Sequence, residues 1–292
     1  MRARIAKLII RLIALLPLPA AYLLGTVIGH ITYLLPNSLK RPLKINIDLC
    51  FADLPPEKRA RLYRDSFLEM TRTAIETGAL WLWNKTRILR LIKNVSGEHL
   101  LEQGFAKGRG VILAAPHLGA WEIMGLYCSN KYPMTSLYRP VRLTELNPLI
   151  KRARERFGAT LVPTNASGVR SLYKALEKNE LVAILPDQDP GKEGSVFAPF
   201  CNTPASTMTL LPRLASKTGA TVVYGYAERL PNGAGYHIHF LPASASMAHH
   251  DLKQAAVQLN KDVEFCIRQC PEQYQWAYKR FKTRPADEQA IY

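Results

Sequence analysis

The chain has 292 residues, 48% of them hydrophobic, which suits one large domain with an appendage. Lys and Arg number 39 against 23 Asp and Glu, a net charge of +16 that favours an acidic partner. No zinc-finger spacing and no aromatic RNA-binding signature accompany that charge, which argues against nucleic acid.

The N-terminus carries Arg4, Lys7 and Arg11 on one helical face, then an uncharged run from Leu12 to Gly29. That run is just long enough to be a spanning candidate, but Pro17 and Pro19 oppose one uninterrupted helix. Lys40, Arg41 and Lys44 make the second flank basic as well. A kinked, half-inserted hydrophobic anchor helix with both ends on the cytoplasmic face satisfies both flanks. Residues 1–45 therefore read as anchor and 46–95 as a helical region packing on the core. In the latter, Tyr63, Phe67, Met70, Ala74, Gly78 and Trp81 form one apolar face. Residues 96–292 have the rhythm of an α/β domain.

Strands are predicted at 111–115, 135–138, 160–162, 181–185, 221–227 and 236–241. Helices are predicted at 120–129, 148–157, 168–178, 207–217 and 251–270. The alternation predicts an α/β fold with a mixed, mainly parallel sheet flanked by helices. In Val111 to Glu122, an apolar run is broken by Pro116 and Gly119, leaving His117 in the turn between strand and helix. Ligands of open α/β sheets gather at such strand ends. An imidazole there can take a proton from an attacking hydroxyl, and Glu122 can fold back to fix its tautomer. Backbone N–H groups at the helix start are candidates for holding an oxyanion.

Asn147 and Pro148 read as the cap and first residue of a helix whose Lys151, Arg152, Arg154 and Arg156 face away from the core. Asp187 and Asp189 end a strand and enter a Pro-Gly turn. Five cysteines without a Cys-x-x-Cys read as free thiols in a reducing compartment: Cys50, Cys128, Cys201, Cys266 and Cys270. His237 and His239 share one face of a strand, and His249-His250-Asp251 opens a helix. Ligand spacing for a metal is not met, so no metal is expected.

These blocks resemble the late acyltransferases of lipid A biosynthesis, within the glycerolipid acyltransferase superfamily. His117 to Glu122 is similar to the family's His-x4-Asp/Glu motif. Tyr138-Arg139-Pro140 with Asn147-Pro148, 185–191, 196–200 with 204–207, and 271–276 with 280–285 resemble its later blocks. In Phe200-Cys201-Asn202 the family more often has an aromatic followed by Gly, and Asn can adopt the left-handed conformation Gly would use. The resemblance implies a cytoplasmic-face inner-membrane enzyme that moves a fatty acyl group from acyl carrier protein to a hydroxyl of a lipid A precursor. It implies no cofactor. His117 would be the base and Glu122 its orienter. Arg139 would bind acceptor phosphate, with Asn147, Asp187 and Asp189 among the substrate-lining positions. The alternatives are a lysophospholipid or other glycolipid as acceptor, a hydrolase, or a non-catalytic basic protein bound to an anionic membrane surface.

Overall fold

The structure is a computed structural model and describes residues 2–191 and 193–292. Five helices come first: α1 (Arg2–Ala14), α2 (Leu18–Leu34), α3 (Lys40–Cys50), α4 (Pro56–Leu80) and α5 (Lys85–Leu91). There follow β1 (Ile92–Ser96), α6 (His99–Ala106), β2 (Val111–Ala114), α7 (Trp121–Lys131) and β3 (Met134–Tyr138). Next are α8 (Asn147–Glu155), β4 (Ala159–Pro163), α9 (Ala166–Glu177) and β5 (Leu181–Ile184). The chain closes with β6 (Ser195–Phe200), β7 (Thr203–Met208), α10 (Leu210–Thr218), β8 (Thr221–Arg229), β9 (Tyr236–Pro242) and α11 (Leu252–Gln269).

Seven strands form one sheet in the order β1-β9-β8-β2-β5-β3-β4, in which only β8 and β9 run antiparallel. The mixed, mainly parallel α/β expectation describes this sheet. Continuous apolar runs make its centre because both faces are covered. Ile112 and Ala114 of β2 enter one core cluster, while Val111 and Leu113 enter the other. Val182 and Ile184 of β5 divide from Leu181 and Ala183 in the same way.

Strand β1 lies outside the predicted set, and so do the paired strands β6 and β7, which form a separate hairpin. Its loop residues Cys201 and Asn202 both have positive φ, 49° and 61°, the conformation of a two-residue type I′ turn. Pro199 and Pro204 sit opposite each other in this pair, which tolerates them because it is all edge. Cys201 is joined to Cys50 of α3 by a disulfide, with Cα atoms 4.7 Å apart. The expectation of five free thiols therefore holds for Cys128, Cys266 and Cys270 only.

The N-terminal segment is broken at Pro17, the interruption expected there, into two helices rather than one anchor helix. Pro17 separates α1 from α2, and among the described residues no helix is long and apolar enough to cross a membrane. Helix α2 packs closely on α4. A Cβ at Gly25 would lie 2.9 Å from the Arg72 Cα, so only glycine allows this approach. The Thr71 hydroxyl donates to the Gly25 carbonyl at 2.9 Å, and the Arg72 guanidinium covers the Tyr22 ring.

Helix α4 is tied to the sheet by a buried ion cluster. Arg229 of β8 donates to Glu76 Oε2 at 2.9 Å and to the Thr73 hydroxyl at 2.8 Å, and it also pairs with Glu69. The Tyr236 hydroxyl donates to Glu76 at 3.0 Å. Arg229 is pushed above its ordinary range: burial acts to lower it, and the two carboxylates outweigh burial. Removing one partner leaves buried charge uncompensated. Arg229→Leu is expected to destabilise the protein by about 3–5 kcal/mol, read as a fall in the urea midpoint. Lys44→Ala, which breaks the solvated Lys44–Asp48 pair, should cost less than about 1 kcal/mol.

Candidate active site

Strands β2 and β5 are parallel neighbours, with Ala114 paired to Ile184. His117 and Asp187 each lie three positions beyond that pair, so the two turns meet at the same edge of the sheet. Gly119, at φ 60°, then redirects the chain into α7; a Cβ there would lie 2.0 Å from the Ala227 carbonyl oxygen. The turn is held by its own backbone. Gly119 N–H donates to the Gln273 carbonyl at 3.0 Å and Ala120 N–H to the Ala227 carbonyl at 2.8 Å.

Asp187 grips His117 twice. Its Oδ2 accepts the His117 backbone N–H and its Oδ1 accepts Nδ1–H, both at 2.9 Å. Burial acts to raise the Asp187 carboxyl, but the facing imidazole and these hydrogen bonds outweigh it and hold the group below its ordinary range. An ionised carboxylate only accepts, so this bonding assigns the proton to Nδ1. Nε2 is left as a lone-pair acceptor. It lies 3.2 Å from the Gln188 amide, which also donates to Gln275 Oε1 at 3.0 Å. The Trp121 ring stands edge-on to the imidazole, with centroids 5.3 Å apart.

Glu122 does not take the position expected of it. Because α7 starts at Trp121, the indole packs against the imidazole. Buried Glu122 instead receives the Arg154 guanidinium, with Nε 3.0 Å from Oε2. Burial would lower the Arg154 group, and the Glu122 charge outweighs it and raises it. Arg156 also turns inward and donates to the carbonyls of Leu80 and Trp81. Two of the four cations read as an outward basic face are therefore half-buried and bond inward.

The remaining expected positions separate. Exposed Arg139 forms no ion pair among the described residues and lines a cavity of about 800 Å³ together with His117, Glu122 and Asp189. Asn147 lies within the helical backbone rather than capping α8. Its side-chain Oδ1 accepts the Tyr138 hydroxyl at 2.6 Å and the Val141 N–H at 2.8 Å, which fixes the loop on either side of Arg139. The Asp189 carboxylate accepts the Gly191 N–H at 2.8 Å, and Asp189 N–H donates to the Tyr278 hydroxyl at 3.0 Å. Burial opposes ionisation of Asp189, but the Thr283 hydroxyl and the Gly191 N–H outweigh it and hold its carboxyl low. Asp189 thus shapes the turn.

Met124, Gly125, Met134, Ala159, Leu161 and Tyr173 give the cavity its apolar wall. Arg213 and Lys217 of α10 also line it, are exposed, and form no ion pair among the described residues. Sequence reasoning missed Gln188, Gln275, Arg213 and Lys217. The first two lie within recognisable blocks; the two cations carry no local signal beyond their charge.

The arrangement can take a proton at Nε2 from a hydroxyl presented beside a long apolar space. Residues 4–283 match the family of bacterial lipid A biosynthesis acyltransferases. The chain is 33% identical to the lipid A biosynthesis lauroyltransferase of Escherichia coli (strain K12), covering 94% of this chain and 89% of that protein. It is 31% identical to the lipid A biosynthesis palmitoleoyltransferase of the same organism, over 95% and 90%. To its lipid A biosynthesis myristoyltransferase the identity is 25%, over 89% and 80%. With nearly its whole length matched, the chain belongs to the bacterial lipid A biosynthesis acyltransferase family.

Proposed function

We propose that the protein transfers a fatty acyl group from acyl carrier protein to a hydroxyl of a lipid A precursor, a late acylation step. The observation that carries this is the His117–Asp187 pair, with His117 lining the largely apolar cavity. The acceptor hydroxyl oxygen attacks the thioester carbon while His117 Nε2 takes its proton. The tetrahedral intermediate collapses, the C–S bond breaks, and the thiolate leaving group receives that proton from the imidazolium. One ester forms as one thioester is lost, with no acyl-enzyme and no cofactor. Asp187 holds the tautomer and stabilises the imidazolium. The N–H groups of Leu118, Gly119 and Ala120 are already bonded, so the oxyanion falls to the Trp121 and Glu122 amides at the start of α7. The Glu122–Arg154 pair sets the charge of the adjoining wall.

Arg139, Arg213 and Lys217 supply free positive charge for the acceptor phosphate and the acidic carrier. Asn147 acts by positioning Arg139. The test is acyl transfer by purified protein in detergent, with loaded carrier proteins and either a lipid A precursor or a lysophospholipid. Wild type should acylate the lipid A precursor. His117→Ala should abolish transfer, and Asp187→Asn should lower kcat by on the order of 10³-fold with little change in KM. Arg139→Ala should raise the acceptor KM about 10-fold to 100-fold and leave kcat nearly intact. Transfer to the lysophospholipid alone, or full activity without His117, would overturn the assignment.

The apolar wall is the place for the donor chain. Gly125 is helical, yet a Cβ there would meet no heavy atom within 4 Å, so its lack of a side chain opens the cavity rather than relieving the backbone. A mid-helix glycine costs about 1 kcal/mol relative to alanine, so the space has a cost in stability. Gly125→Leu should move donor preference to shorter chains, with discrimination on the order of tenfold per methylene excluded. A competition assay with mixed carrier-bound chains reads this directly, and an unchanged preference would exclude this position.

Exposed apolar residues of α1 and α2 support a location at the cytoplasmic face of the bacterial inner membrane. Ile5, Leu8, Leu12, Leu23, Val27 and Ile31 are exposed at helical spacing, and Leu15 at the kink is 78% exposed. Such a face, with basic flanks, lies in the plane of an anionic interface. In a flotation assay, wild type should rise with anionic vesicles. Leu12→Glu/Leu23→Glu/Ile31→Glu should remain at the bottom while keeping its fold by circular dichroism; flotation equal to wild type would remove this surface as the anchor.

A further inference from the structure

Among the described residues one group of three metal-ligating side chains converges: Glu228 of β8 with His237 and His239 of β9. None of the three lines the catalytic cavity. Alternation along β9 puts both imidazoles on one face of the sheet. The antiparallel register places Glu228 directly opposite His237 and Tyr226 opposite His239. Directly opposed and diagonal neighbours of this kind are within side-chain reach. The third donor comes from the adjacent strand, so spacing within β9 alone does not reveal it.

We propose that Glu228, His237 and His239 form a binding site for a divalent late transition-metal cation of the zinc class. The three donor atoms lie within 4.8 Å of one another. His239 Nε2 and Glu228 Oε2 are hydrogen-bonded at 2.9 Å, and a cation taking both as ligands would replace the shared proton. The imidazole centroids are 3.8 Å apart. Each ring is also held by an outer neighbour. Tyr226 stacks on His239 with centroids 4.7 Å apart, and the Ser96 hydroxyl lies 2.7 Å from His237 Nε2. Such outer partners orient ligands around metal sites.

Two imidazoles and one carboxylate suit zinc, nickel or copper, whereas magnesium and calcium prefer oxygen alone. All three residues are half-buried, so solvent can complete the coordination. An ion here would link β8 to β9 beside Ala227, whose carbonyl holds Ala120 at the start of α7. Binding to the folded state alone would stabilise it by mass action.

The test is calorimetric titration of ZnCl₂ into the full-length protein in detergent, after chelator treatment, with thermal unfolding in parallel. Wild type should bind one ion per chain and unfold at a higher temperature with zinc; Ni²⁺ should do the same and Mg²⁺ should not. His237→Ala/His239→Ala should lose both effects. Glu228→Gln, which keeps the shape of the side chain, should weaken binding at least tenfold. Circular dichroism of the metal-free variants verifies folding. Absence of saturable zinc binding by wild type, or equal binding by the folded double variant, would overturn the proposal.

Discussion

The bidentate hold of Asp187 on His117 is the interaction on which the site depends. One carboxylate takes the ring N–H and the backbone N–H of the same residue, so it fixes tautomer, rotamer and loop together. That geometry requires β2 beside β5, in parallel and in this register. The sheet order therefore does chemical work: a shift of one position would separate Asp187 from the imidazole. The buried carboxylate is in turn stabilised as an anion by the groups it orients.

The loop carrying His117 is also held from the far end of the chain. Gln275 N–H donates to the His117 carbonyl at 3.1 Å, and the Gln273 amide bridges to the Arg229 backbone. Trp276 is buried against Phe51, and Asn46 of α3 donates to the Trp276 carbonyl at 2.7 Å. Arg280 donates to the Ser206 carbonyl at 2.6 Å and to the Thr207 hydroxyl at 3.0 Å, which fastens the same segment to β7. Burial lowers Arg280, and nearby Tyr274 and Asp187 act in the opposite direction. Blocks far apart in sequence thus share one task, holding the His117 turn in place.

What could be read from sequence follows the range of each interaction. Continuous apolar runs such as 111–114 and 181–184 mark buried parallel strands locally, and Pro116 with Gly119 marks the turn that displays His117. The partner of His117 is 70 residues away and is set by strand adjacency, which no local spacing encodes. Glu122 satisfies the spacing but is turned to Arg154, because α7 presents Trp121 to the ring instead. The Cys50–Cys201 bridge joins residues 151 apart and depends on a hairpin whose prolines mask its strand character. Asn147 looks like a helix cap by composition, whereas its side chain serves the loop before the helix.

The charge distribution joins these observations to the anionic substrates expected for the family. Glu69, Glu76, Glu122, Asp187 and Asp189 are all buried and so are withdrawn from the surface. Some neutralise cations, buried Arg229 and half-buried Arg154. Many of the cations behind the net charge of +16 stay outside, where their field reaches into solution. At the cavity, Arg139, Arg213 and Lys217 carry this excess beside an apolar interior. Attraction at long range and burial at short range then favour the same kind of molecule, one with an anionic head and a hydrocarbon chain.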